Sequence, residues 1–482
     1  MIFWYNFTKS SGETTKRLKL GIRRQMKKQI ATAIAFFALM SGCRTIENAR
    51  AVQRGVEPKS VDFPVAVERE KVDLRALDLE GLVNWALTNR PDVVKAELAV
   101  ESAKLALKTV RSGGPLVPQM DVSLGHSQST QNRQPGHFSW HNTGKGSGTI
   151  SADILIFDFG RVKAKERQAR ERIVAAERAL ADERLAVFGE VADAYFQVLQ
   201  ADALLEVALT NEMEYAEHLR QSESLLEAGE AKQLDVARAR VDLSNARLAT
   251  INASNEVVTT GATLMKALGI EADRGCRELV LAPLPDPLSA EKVEFPRTDY
   301  GTDEALDFAR TNSPSLLAMR AKLRAASAEV DYTIADLFPE LSFNTAMSWS
   351  DPVWNWSWGI KGIMSVFHGF RKTTAVDAAV VSMKSAESDV EEAEQQLSLS
   401  LALAVAVRDN AAQNLETSRV AVEQAKENLD LVAEQYKVGD ANRVDFTTAV
   451  GAYAEALGKR VKAFYAGQRA ESKLVELLGA RK

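Results

Sequence analysis

The sequence predicts a mainly α-helical protein with a β portion of the membrane-barrel type, built from two copies of one helix-helix-strand-strand-helix-helix unit. Three observations carry this. A series of short motifs recurs once along the 482 residues. Each half holds a long stretch with helical periodicity and almost no glycine or proline. Each half also holds segments in which apolar and polar residues alternate.

The duplication sets the frame. Asn89-Arg90-Pro91 returns as Asn312-Ser313-Pro314, and Leu116-Val117-Pro118-Gln119 returns as Leu337-Phe338-Pro339-Glu340. Phe157-Asp158-Phe159-Gly160-Arg161 returns as Phe367-His368-Gly369-Phe370-Arg371. Ala228-Gly229 with Asp235-Val236 matches Val438-Gly439 with Asp445-Phe446, and Ala267-Leu268-Gly269 matches Leu477-Leu478-Gly479. The offset is 221 to 223 residues before the phenylalanine motif and 210 after it, so the halves differ by about a dozen residues in one place. That place lies between Pro118 and Phe157, where Gln128 to Gly148 is rich in Gly, Ser, Asn and His and reads as a surface loop. The expected layout is residues 73–270 and 299–480 for the two repeats. A linker over 271–298 is marked by Pro283, Pro285, Pro287 and Pro296.

Ahead of the first repeat, Arg23, Arg24, Lys27 and Lys28 precede an apolar run from Ile30 to Met40, followed by Ser41-Gly42-Cys43. A basic block, a short apolar run and small residues describe a secretory signal over 1–42. The leader before Met26 is long, which makes Met26 a candidate start. A cysteine after Ser-Gly resembles the bacterial lipobox, with Met40 where leucine is usual. That resemblance implies cleavage before Cys43, acylation of its sulfur and new amino group, and a lipidated extension over 43–72. An ordinary secretory signal with an incidental cysteine is the other reading. Cys276 is then a lone thiol, so no disulfide framework is expected.

Within each repeat, two short helices meet at the Asn-x-Pro motif, with proline at a helix start. Strand-like segments follow. Ile150, Ala152, Ile154 and Ile156 alternate with Thr149, Ser151, Asp153 and Leu155. Leu341, Phe343, Thr345, Met347 and Trp349 alternate with their neighbours in the same way, and then Trp356, Trp358, Ile360, Gly362, Met364 and Val366. Period-two alternation of this length fits a barrel strand with one face to lipid and one to a lumen. Trp349, Trp354, Trp356 and Trp358, four of the seven tryptophans, fall where an aromatic belt would sit near the hairpin loop. Four strands cannot close a barrel, and lipid does not tolerate open sheet edges, so membrane entry demands assembly of copies.

The long helices come next. Arg371 to Lys437 has no Gly or Pro in 67 residues, a rod of about 100 Å. An alanine-rich seam runs Val376, Ala379, Met383, Ala386, Val390, Ala393, Leu397, Ser400, Ala404, Val407, Ala411, Leu415, Ser418, Val422, Ala425, Leu429, Val432, Tyr436. This is a coiled-coil pattern with one extra four-residue step near Ala411. The matching helix, Arg161 to Glu227, carries Gly189 but no proline.

Composition narrows the function. A formal charge of −5 argues against a nucleic-acid partner. No phosphate loop, nucleophile motif or acid-base pair is present, so no enzyme, cofactor or metal is expected. His137 and His141 lie in a Gly- and Asn-rich segment without companion ligands and read as solvated. The remaining classes are a membrane duct and a periplasmic coiled-coil lipoprotein acting as spacer or scaffold. A spacer requires neither the strands nor the tryptophans.

Signal and lipobox, duplicated halves, barrel-like strands and long antiparallel rods together resemble the TolC family of outer-membrane efflux proteins, from about Asp73 to Gly479. The resemblance implies a homotrimer with a twelve-stranded barrel in the bacterial outer membrane, standing on a long α-helical periplasmic tube. It implies partners in a periplasmic adaptor and an inner-membrane pump or a type I secretion apparatus. The family's adaptor-docking turns map onto Leu226, Ala228, Gly229, Leu234, Asp235 and Val236, and onto Tyr436, Val438, Gly439, Val444, Asp445 and Phe446. Its periplasmic gate of acidic residues maps onto Asp445, with Arg443 as a nearby counter-charge. Thr448 stands where the family prototype has a second acid, which weakens the implied acidic ring.

Overall fold

The structure is a computed structural model, and it describes residues 78–131, 141–229, 232–270, 301–350, 353–364, 367, 369–438 and 441–479. The expected signal, Cys43, the 43–72 extension, His137, Cys276 and the linker lie outside these residues.

The elements run α1 (Leu79–Asn89), α2 (Pro91–Ser112), β1 (Pro118–Gln131), β2 (His141–Phe157), α3 (Arg161–Glu227) and α4 (Gln233–Ala267). They repeat as α5 (Thr302–Asn312), α6 (Pro314–Ala335), β3 (Glu340–Ser350), β4 (Val353–Ile363), α7 (Arg371–Val438) and α8 (Arg443–Leu478). The duplicated order is as expected. Among the described residues no helix is long and apolar enough to cross a membrane.

The repeated motifs mark the corners of each unit, and the structure shows why they recur. Pro91 and Pro314 open α2 and α6, where a missing N–H is harmless. Gly269 and Gly479 end α4 and α8 with φ of 75° and 78°. Each then folds back on the Asn-x-Pro corner of its own half. A Cβ on Gly269 would lie 3.2 Å from Arg90 Cγ, and one on Gly479 would lie 2.7 Å from the Asn312 carbonyl oxygen. At the strand-to-helix corners, Phe159 and Gly160 in one half and Gly369 and Phe370 in the other have positive φ. Asp158 holds the first corner by accepting from Gly160 N (3.1 Å) and Val162 N (2.6 Å).

The long helices are packed by small residues. α3 and α4 form one antiparallel hairpin, α7 and α8 the other, and α3 touches both α6 and α8. Two apolar cores lie near the corners. One gathers Leu82, Val93, Val191, Leu264 and Phe464; the other gathers Ala305, Leu316, Leu401 and Leu474. The α7 seam follows the expected line with one correction. Val407 is 52% exposed, while Leu401 and Arg408 are buried at 0% and 4%. The extra four-residue step therefore falls at Leu397–Leu401, not near Ala411. A seam read from apolar residues steps over an arginine; here Arg408 turns inward beside Asp409, at 3.0 Å.

A second correction concerns the insertion in the first half. Gln128–Gln131 and His141–Gly148 are strand, paired in register from Ser129↔Thr143 to Leu124↔Gly148. The extra residues lengthen the hairpin: β1 and β2 have 14 and 17 residues against 11 each for β3 and β4. Gly, Ser and Asn disfavour strand in isolation, but the ladder begun by the apolar segment continues through them. His141 opens β2 opposite Gln131. β4 ends at Ile363, and Val366, expected in the same strand, lies outside the described residues.

Candidate functional site

The four strands form one antiparallel sheet in the order β1-β2-β3-β4, leaving the outer edges of β1 and β4 without a partner strand among the described residues. The register sorts the side chains. Val122 faces Ile150, which faces Met347, which faces Trp356. Pro118, Ile154, Phe343 and Ile360 form a second such row. One face thus collects the apolar residues, among them Met120, Leu124, Trp358 and Ile360, exposed at 65%, 82%, 67% and 71%. The opposite face carries Asp121, Ser123, Ser151, Asp153, Asn344, Ser348, Ser357 and Lys361, and Asn344 donates to Asp153 at 2.7 Å.

All four tryptophans of the expected belt lie on the apolar face. Trp349 and Trp354 are neighbours across the β3–β4 hairpin, with ring centres 6.4 Å apart. Trp356 Nε1 donates to Thr345 Oγ1 at 3.0 Å. The sequence reading missed a second aromatic group at the other end of the sheet. Phe159 stacks on Phe338 at 5.2 Å and meets Phe157 edge-on at 4.8 Å, while Phe367 meets Phe370 at 5.8 Å. All five rings are 44–73% exposed. The repeated phenylalanine motif was the available signal. Beside these rings, Arg161 pairs with Asp336 (3.2 Å) and Glu340, and Lys372 pairs with Asp336 (3.1 Å). These ion pairs tie the starts of both long helices to the entry of β3.

At the far end of the rods, the two turns share one design. Gly229 has φ of 80°, as a sharp reversal between helices requires. Asp235 and Asp445 each occupy the third position of the returning helix and accept from the backbone N–H three residues earlier, Lys232 at 3.3 Å and Asn442 at 3.4 Å. At the second turn, Asn442 Oδ1 accepts from Asp445 N at 3.0 Å, completing a capping box.

The expected docking residues divide by burial. Ala228, Gly229, Leu234, Val444 and Asp445 are exposed, Leu226, Asp235 and Tyr436 half-buried, and Val236 and Phe446 buried. The buried ones shape the turn from inside. The side chain of Val438 and the whole of Gly439 lie outside what the structure describes. Thr448 is exposed. Arg443 does not act as counter-charge to Asp445. Its guanidinium reaches Asp242 of the first hairpin at 2.6 Å, because the Asp445 carboxylate is folded back onto the helix start.

A further set of apolar residues is uncovered among the described residues. On α4, Leu234, Val241, Leu248 and Ile251 are exposed at 55–59%, the first three at seven-residue intervals. On α7, Leu399, Leu403 and Val407 are exposed at 52–57%. A seven-residue apolar repeat is a coiled-coil seam, and here it faces outward.

Comparison with known proteins bears on this arrangement. A family profile described as outer membrane efflux protein matches residues 82–270 and 305–480. The chain is 28% identical over 280 residues to the pyoverdine export outer membrane protein OpmQ of Pseudomonas aeruginosa, covering 57% of this chain and 56% of that protein. It is 24% identical over 377 residues to the solvent efflux pump outer membrane protein SrpC of Pseudomonas putida, covering 75% and 76%. The first match thus spans little more than half of the relative's length. In structure, the CmeC outer membrane channel of Campylobacter jejuni aligns with a TM-score of 0.73 at 17% identity, over 83% of this chain and 85% of that one. The profile covers both repeats, each with its sheet hairpin and its long helices, and the chain belongs to the outer membrane efflux protein family.

Proposed function

We propose that this chain is one subunit of a homotrimeric duct in the bacterial outer membrane, a passive conduit from a periplasmic pump complex to the exterior. The observation that carries this reading is the sheet: four strands, two edges open among the described residues, one predominantly apolar face and one polar face. In hydrocarbon each unsatisfied backbone group costs several kcal/mol, so such a sheet enters a membrane only when copies pair their edges. Three copies supply twelve strands, and the polar faces then line a lumen. The outward seams on α4 and α7 give the rods the surfaces to join neighbouring copies into a tube.

The Phe group beside the ion pairs and the Trp group at the hairpin loop bracket the apolar band, as aromatic girdles do. Leu234 and Val444, at equivalent exposed positions on the two turns, suit docking by a periplasmic adaptor. The relatives' names refer to pyoverdine export and to solvent efflux pumps, which supports a pump-driven system. A spacer or scaffold leaves the apolar face of the sheet without a role.

In this reading three copies of Asp445 narrow the periplasmic mouth as a ring of negative charge. Planar-bilayer recording tests it. The purified protein forms discrete channels, and Asp445→Ala raises their single-channel conductance. An unchanged conductance discards Asp445 as the gate, and absence of channels discards the duct.

A further inference from the structure

His218 lies in α3 about three turns from the first tip, and it is 1% exposed. Neither ring nitrogen has a hydrogen-bond partner among the described residues. Its ring is enclosed by two aromatic residues of the other hairpin: Tyr436 at the end of α7 (5.4 Å, edge-on) and Phe446 at the start of α8 (5.1 Å). Those two rings stack on each other at 5.2 Å. Two polar contacts flank the cluster and join the same hairpins. Arg443 pairs with Asp242 at 2.6 Å, and the Tyr215 hydroxyl donates to the Thr447 carbonyl at 3.3 Å. The second tip is therefore fastened to the first hairpin at one place, with an unpartnered imidazole at its centre.

We propose that His218 is a pH-sensitive latch for the second tip: neutral while Tyr436 and Phe446 enclose it, protonated once the α7–α8 end moves away, so that mild acidification releases the tip and opens the mouth. This rests on the duct reading.

The direction follows from linkage. Burial holds the enclosed imidazole below its ordinary value, the Arg443 guanidinium pushes the same way and the Asp242 carboxylate opposes. A released histidine returns to about 6.5. The latch is therefore fully stable above that value and weakens as pH falls through the window beneath it. The bound on the effect is about tenfold in the released-to-latched ratio per protomer between pH 7.5 and 5.5.

The neighbouring ionisable groups come from all four packed helices. α3 contributes Tyr215 and the Glu217–Arg220 pair, α4 contributes Asp242, α7 contributes Tyr436, and α8 contributes Arg443 and the capping Asp445. Histidine is the side chain whose ordinary titration falls inside the chosen window.

The experiment is planar-bilayer recording of the full protein at pH 7.5 and 5.5, beside His218→Phe, which keeps an aromatic ring and removes the titration. Open probability of the unaltered protein is expected to rise several-fold on acidification, and that of His218→Phe to stay flat. No rise in the unaltered protein, or an equal rise in the variant, overturns the latch. A second measurement does not depend on that variant folding. Cysteines introduced as Asp242→Cys and Arg443→Cys, bridged by a short bismaleimide, should abolish the pH step that the unbridged protein retains. A bridged channel that keeps its step overturns the proposal. Channels without pH response reject the latch alone, whereas no channels in any protein reject the duct on which it rests.

Discussion

The two tips repeat one sequence pattern, and they differ most in how each is joined to the opposite hairpin. Both carry a glycine in sequence, both place an aspartate on the start of the returning helix, and both expose an aliphatic residue at Leu234 or Val444. Among the described residues, the aromatic and polar contacts that join a tip to the opposite hairpin occur only at the second tip. At the 210-residue offset, His218 corresponds to Asn428, Tyr215 to Ala425, Tyr436 to Leu226, Phe446 to Val236 and Arg443 to Gln233. Asn428 is exposed, and Val236 is buried without an aromatic neighbour among the described contacts. What the halves share makes a turn; what only the second half holds fastens that turn to the rest of the molecule. Motion at the mouth is therefore expected in the α7–α8 hairpin, with α3–α4 as the frame.

The corners where each half closes on itself give the largest expected effect. Gly479→Ala forces a left-handed residue to carry a Cβ within 2.7 Å of a backbone carbonyl, a loss of about 2–4 kcal/mol. Gly269→Ala meets the flexible Arg90 side chain at 3.2 Å, which yields, leaving about 1–2 kcal/mol of backbone strain. The apparent melting temperatures of the purified proteins should rank unaltered, Gly269→Ala, Gly479→Ala. The reverse order of the two variants contradicts the geometry.

Removing the one-sided ion pair comes next. Arg443→Gln leaves Asp242 without its cation at a half-buried site, weakening the latch by about 1–2 kcal/mol. Channel openings at neutral pH should become about five- to thirtyfold more frequent. The equivalent change in the first half, Gln233→Ala, should leave them unaltered. A similar response from both would mean that the tips are equivalent after all.

Smaller still is the contrast between the capping aspartates. Asp235→Ala and Asp445→Ala each remove a cap contact worth about 1 kcal/mol, so their thermal stabilities should fall alike. Only Asp445→Ala should also change single-channel conductance. The smallest effect on the fold belongs to Leu234→Asp and Val444→Asp, surface changes within about 0.5 kcal/mol of neutral. Val444→Asp should reduce export in cells without altering assembly, whereas Leu234→Asp, on the outward seam of α4, should weaken export and assembly together.

Much of this architecture can be read from residues alone. The repeated motifs, the glycine-free rods and the alternating strands each report backbone geometry, which local sequence specifies. The features that escaped such reading depend on tertiary neighbours. Arg408 is the local exception: it is buried in the α7 seam beside its sequence neighbour Asp409, a charged position that no hydrophobic pattern registers. The Gly- and Asn-rich ends of β1 and β2 are strand because the ladder carries them. His218 looks like any helical histidine until Tyr436 and Phe446, more than 200 positions away in the chain, close over it. Arg443 stands two residues from Asp445, yet its partner is Asp242. Cross-hairpin contacts of this kind are long-range.

The central claim is that the open-edged sheet closes by assembly. Amine cross-linking of cells expressing the protein, followed by separation of the outer-membrane fraction, tests it directly. A trimer-sized band in that fraction, with heat-sensitive migration typical of a closed barrel, is the predicted result. A monomer recovered in the soluble fraction, with no cross-linked species, would contradict it.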